Sequence, residues 1–163
     1  MTYLIARPPQ DPDELWEYVY TLLGLRIPRL RVCPGHQAPF DAFADAYFAK
    51  TSTAVWKASR GFGGKTTLLG ALALTENIAL GAVVTVLGGS GVQSKRVLEE
   101  NGKRWAWPGA PVDLLLTEPT TQQTRLRNGG TTTALMASTK SARGPHPQRL
   151  RMDEVDEMDK RIL

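Results

Sequence analysis

The chain has 163 residues, 42% of them hydrophobic and 22% charged, with a formal net charge of +4 and one cysteine. That length suits a single domain with a sizeable core, and a lone Cys33 excludes an internal disulfide and suits a reducing cytoplasm. The richest apolar run, 68–87, is broken by Glu76, Asn77 and two glycines, which excludes a membrane-spanning helix there.

Residues 1–10 carry two prolines and no apolar stretch of the kind a secretory signal needs. Residues 13–23 read as an amphipathic helix, with Asp11 and Pro12 as its start signals. An irregular, proline-containing connection over 28–39 leads to a second short helix at 40–50. Residues 53–58 form a short apolar run, expected to be a strand that delivers the chain into the glycine-rich stretch ASRGFGGKTT. Helical spacing resumes over 66–79 and stops at Gly81. The run AVVTVL at 82–87 reads as a buried strand, and Gly88-Gly89-Ser90-Gly91 turns the chain into a helix over 92–105. This alternation is a βαβ unit, which implies an α/β fold with a mainly parallel sheet flanked by helices.

Beyond it the pattern changes. Strands are expected at 113–116, 124–127 and 131–137, with Asn128-Gly129-Gly130 as a hairpin turn. A polar loop fills 138–147, a strand runs over 148–152 to Asp153, and 154–163 reads as a helix. The charge is uneven along this length. Between Lys50 and Arg151 there are 14 Lys/Arg against 5 Asp/Glu, and five acids then crowd into 153–159. A basic body of this kind suits a polyanion such as nucleic acid, or is simply a solvated surface.

Two stretches carry chemistry. In Ser59-Arg60-Gly61-Phe62-Gly63-Gly64-Lys65-Thr66-Thr67, glycines precede Lys and Thr between an expected strand and an expected helix. Such a loop turns backbone N–H groups toward phosphate oxygens, and the helix N-terminus adds partial positive charge. Lys65 would reach the β- and γ-phosphates of ATP and the Thr66 hydroxyl would ligate Mg²⁺. Ser59 stands where the usual pattern has its first glycine. The second stretch is Asp153-Glu154, where the first acid would serve Mg²⁺ and the second orient or activate water. Adjacent acids on an extended strand would face opposite ways. Asp156, Glu157 and Asp159 read as surface.

Other residues leave more than one reading open. Arg143 sits in a glycine- and proline-flanked loop, exposed or facing nucleic acid on its own residues, or a cation for phosphoryl transfer. Gln93, with Lys95 and Arg96, starts a helix at the carboxyl end of a strand and would contact DNA phosphate or form ordinary helix surface. Cys33 and His36 supply half a zinc set, with His146 the only other histidine, and read as structural. Gln37 would hydrogen-bond adenine or remain solvated. Trp105 and Trp107 read as packing residues.

SRGFGGKTT after VWK, then LGGSGVQSKRV, then NGGTTTALMAS, SARGPHP and DEVDEMD in that order, resemble the ATPase domain of tailed-phage terminase large subunits. The resemblance runs over about 33–159. It implies a P-loop NTPase of the additional-strand, RecA-like type, with ATP and Mg²⁺ as cofactors and ATP hydrolysis driving double-stranded DNA into a procapsid. The implied partners are DNA, a portal protein, a small terminase subunit and further copies of the chain in a ring, with no membrane, in the host bacterial cytoplasm. Residue by residue it makes 59–67 the phosphate loop, Asp153 the metal-side acid, Glu154 the catalytic acid, and Arg143 an arginine reaching a neighbouring subunit's ATP. Gln37 falls near the adenine-contacting segment. By the same resemblance, 1–50 is a helical lead-in and 51–163 a partial ATPase core lacking the family's coupling segment and nuclease domain. The rivals are a helicase-like ATPase, on Asp153-Glu154-Val155-Asp156, and a fragment that binds nucleotide or DNA without turnover.

Overall fold

Asp11 opens the first helix. Its carboxylate accepts from the backbone N–H groups of Asp13 and Glu14, both at 2.9 Å, and Pro12 stands in the first turn, where no N–H is needed. Helix α1, Pro12–Leu23, ends at Gly24 in the left-handed region, and α2, Pro39–Tyr47, again starts on a proline. Helix α3, Lys65–Leu80, precedes strand β1, Val83–Gly88, and helix α4, Gly91–Trp105. Three more strands follow: β2, Gln123–Arg125; β3, Thr131–Met136; and β4, Arg149–Asp153. Single 3₁₀ turns occupy Val112–Leu114 and Val155–Glu157. This is a computed structural model, and it describes residues 7–59, 64–138 and 147–158.

The architecture is α/β, with an open four-stranded sheet in the order β2-β3-β1-β4. Strand β1 lies at the centre, parallel to both β3 and β4. Strand β2 is antiparallel to β3, so the sheet is mixed. Asn128-Gly129-Gly130 makes the expected turn between them, with Gly129 at φ 92°. Helices α3 and α4 pack on one face through Ala73, Val97 and Leu98 against Val84 and Val86. On the opposite face Leu150 and Met152 stay 46% and 39% exposed.

Helix α3 is the centre of the molecule. Every residue from Gly70 to Ile78 is buried, which is why it lacks the one-sided apolar stripe of a surface helix. Leu72, Leu74 and Ile78 meet Leu15, Leu22, Phe40 and Phe43 of α1 and α2 in one core. Burial of each such side chain contributes about 1.5–3 kcal/mol. Gly70 permits the close crossing with α4, since a Cβ there would meet the Asn101 Oδ1 at 2.7 Å and the Val97 carbonyl at 2.9 Å.

Three expected elements differ. Residues 53–58 form no strand; Val55 is 88% exposed and only Trp56 turns inward, against the helical core. A short apolar run becomes a strand only by pairing, and among the described residues β4's outer edge has no partner. The first half of 113–116 is taken by the 3₁₀ turn after Pro111, leaving a lone Leu115–Leu126 bridge in place of a ladder. The helix expected at 154–163 is a single 3₁₀ turn as far as residue 158, and 159–163 lie outside the described residues. Among the described residues no helix is long and apolar enough to cross a membrane.

Candidate functional site

The carboxyl ends of the parallel strands β1, β3 and β4 meet the N-terminal ends of α3 and α4, the edge where ligands gather in α/β sheets. Gly64 starts α3 in the left-handed region, φ 61°, and no side chain caps the helix. The first intrahelical bond runs from Leu68 N–H to the Gly64 carbonyl at 2.9 Å. The amides of Lys65, Thr66 and Thr67 therefore precede the helical ladder and point out of its end.

The side chains that follow fix the site. Lys65 Nζ donates to the Ala58 carbonyl at 3.0 Å. Thr66 Oγ1 donates to Asp153 Oδ2 at 3.1 Å, joining the first turn of α3 to the last residue of β4. Thr67 Oγ1 donates to Glu100 Oε2 of α4 at 3.2 Å. Asp153 is only 7% exposed and lies in register with Gly88, so both strands end together. Ser59 is exposed just before the loop. Arg60, Gly61, Phe62, Gly63 and Arg143 lie outside the described residues.

Glu154 departs from the sequence expectation. It stands at φ 53°, ψ 53°, past the end of β4, so a left-handed turn, and not strand alternation, separates its direction from that of Asp153. A non-glycine residue there carries strain of about 1 kcal/mol or more, and such strain collects at functional sites. Asp156 and Glu157 are exposed, as expected of surface acids.

Gln93 does structural work at the same edge. Ser90 and Gln93 form a reciprocal capping box at the start of α4, and the Gln93 amide also donates to Glu157. Gln37 is exposed in its loop and donates to Asp45 Oδ2 of α2 at 2.7 Å. Cys33 and His36 are exposed, and among the described residues no group of three His, Cys, Asp or Glu could hold a metal ion. Trp105 packs against the helical core, and Trp107 lies near Tyr20 while its indole N–H donates to the Thr21 carbonyl at 3.0 Å.

Sequence reasoning missed Glu76. This acid is fully buried within α3 and accepts from Arg151 of β4, with Arg149 Nε at 3.5 Å. The two arginines, which weaken β4 as an apolar strand, are thereby accounted for. Burial pushes the Glu76 carboxyl up to about 7, and the two guanidiniums act against that rise. The available signal was a lone acid in an apolar helix together with arginines at strand spacing.

A divalent cation of the Mg²⁺ type fits Thr66 and Asp153 only in part. They offer two hard oxygen donors at one point, and such an ion takes its remaining ligands from water and phosphate oxygens. The site therefore suits a metal that arrives with a phosphate ligand. No protein-family model matches the chain, and no curated protein matches it.

Proposed function

We propose that this chain is an ATP-binding motor domain of the terminase large-subunit kind, hydrolysing ATP to drive double-stranded DNA into a procapsid. The finer fold reading is a P-loop NTPase of the additional-strand type. The observation that carries it is the hydrogen bond from Thr66 to Asp153. A hydroxyl one residue after a lysine, at a glycine-started helix, meets an acid at the carboxyl end of a parallel strand 87 positions along. Mg·ATP asks for that pair: a hydroxyl and a carboxylate toward the metal, beside amides and a lysine toward the phosphates.

On this reading Lys65 exchanges the Ala58 carbonyl for the β- and γ-phosphates. Thr66 and Asp153 hold Mg²⁺, which when bound neutralises charge on the phosphate oxygens. Glu154, held beside Asp153 by its left-handed backbone, orients the attacking water. Arg143 acts on the ATP of an adjacent copy in a ring. The DNA, portal and small-subunit partners, and the host cytoplasm, rest on the ordered set of motifs.

Titration with a fluorescent ATP analogue and Mg²⁺ tests the site. The parent protein is expected to bind, and Lys65→Ala to lose binding while its far-UV circular dichroism is unchanged. An affinity for Lys65→Ala within about twofold of the parent would sink the assignment.

A further inference from the structure

Glu76 lies in the middle of α3 with no exposed surface, a rare place for a carboxylate. Its Oε1 takes Arg151 and lies 3.5 Å from Arg149 Nε, while Oε2 has no hydrogen-bond partner among the described residues. As a source of stability this is poor design, because buried ion pairs are often no better than apolar packing of the same volume. Its location offers another use.

Arg149, Arg151 and Asp153 are alternate residues of β4 and so share the face turned to α3. Thr66 meets the last of them and Glu76 the first two, so α3 and β4 are joined at two points. Residues two apart on a strand are separated by roughly 6.5–7 Å, within reach of an arginine side chain. An Arg151 guanidinium without Glu76 would have Asp153 as the next carboxylate along its own strand face. Charge-assisted contact there would cover the oxygens that Thr66 and a cation use.

We propose that Glu76 is a decoy anion that holds Arg151 away from Asp153 and so keeps the Asp153 carboxylate open to Thr66 and a divalent cation. Glu76 touches neither the cation nor its ligands and is a positioning residue. The proposal rests on Asp153 being the metal-side acid, as proposed above. It predicts a reversal that a purely structural role does not: with Glu76 neutralised, deleting Arg151 should repair the metal site.

The probe is Mn²⁺, titrated against the protein with ATP by electron paramagnetic resonance at about pH 8, above the raised Glu76 value of about 7. Metal-free ATP affinity, measured in EDTA, is the internal control. Glu76→Gln is expected to weaken Mn²⁺ binding about tenfold and leave metal-free ATP affinity unchanged. Adding Arg151→Met to Glu76→Gln should bring Mn²⁺ affinity back to within about twofold of the parent, and Arg151→Met alone should leave it unchanged. Should Glu76→Gln not fold, Glu76→Gln with Arg149→Met, which leaves one unpaired guanidinium, replaces it in the comparison. If Mn²⁺ affinity survives loss of the Glu76 charge, or Arg151→Met fails to restore it, the decoy is overturned while the site assignment stands. No Mn²⁺–ATP binding by the parent overturns the site assignment and the decoy together.

Discussion

At its N-terminal end α3 begins on a left-handed glycine with no side-chain cap, and its first three side chains are polar. At its C-terminal end the helix is closed several times over. Gly81 N–H returns to the Asn77 carbonyl, and the Asn128 amide donates to the carbonyls of Asn77 and Ile78 at 2.9 and 3.0 Å. Asn77 itself bonds the Ala82 carbonyl and the Thr132 hydroxyl. One helix thus has an end where the Asn77 and Ile78 carbonyls are taken up internally and an end whose first amides, among the described residues, are left without a partner. On the proposed function, stability resides at the first and ligand chemistry at the second, and substitutions should divide accordingly.

The largest separation is expected in the closed, buried part. Leu74 is fully buried among residues of α1, α2 and α3, and Leu74→Ala should cost about 2–5 kcal/mol of stability. Urea unfolding measures this, with ATP affinity of the still-folded protein expected to be unchanged. A variant that keeps its stability but loses ATP affinity would erase the division. Beside the open end the reverse should hold. Glu154→Gln should bind Mg·ATP normally yet, in assembled rings, hydrolyse it at least ~100-fold more slowly. Near-normal phosphate release by this variant would move the water-orienting role elsewhere, with Asp156 next to be tested.

The smallest effect is a pH slope belonging to the closed part. The Glu76 carboxyl is raised from 4.5 to about 7 on folding, so between those values the native state holds a proton that the unfolded chain has released. Stability should therefore fall as pH rises through that window, by up to about 1.4 kcal/mol per pH unit. Urea midpoints across the window measure it, and Glu76→Gln should flatten the slope. An equal slope in the variant would assign it to other groups.

What the sequence made legible was mostly local. Asp11 with Pro12, the turn Gly88-Gly89-Ser90-Gly91, and Gly81 bound their helices through features a few residues apart, whereas the reciprocal box of Ser90 and Gln93 emerged only in the structure. AVVTVL is apolar on both faces and became the central strand, in keeping with parallel pairing on both sides. Failures came where a partner decides the outcome. VWKA has strand-forming residues, yet strand propensity does not supply an edge, and Trp56 found the helical core instead. Glu76 and its arginines are 73 and 75 positions apart, beyond any local pattern. For the site, spacing pointed to Thr66 and Asp153, which the fold brings together. It misjudged only the backbone direction at Glu154, because a left-handed conformation at a glutamate has no sequence signature.

The burial of α3 also has a mechanical side. Its 16 residues make a rod about 24 Å long, enclosed by α1 and α2 on one flank and by the sheet and α4 on the other. Close-packed interiors do not deform continuously. A slip by one turn would carry Glu76 about 5.4 Å from its arginines and drive Leu72 and Leu74 out of their holes. Any pull on the open end is therefore resisted by the whole rod, and a displacement that does occur must take the flanking helices with it. Force applied at Lys65 and Thr66 reaches the opposite end of the molecule through a stiff strut, without an intervening hinge.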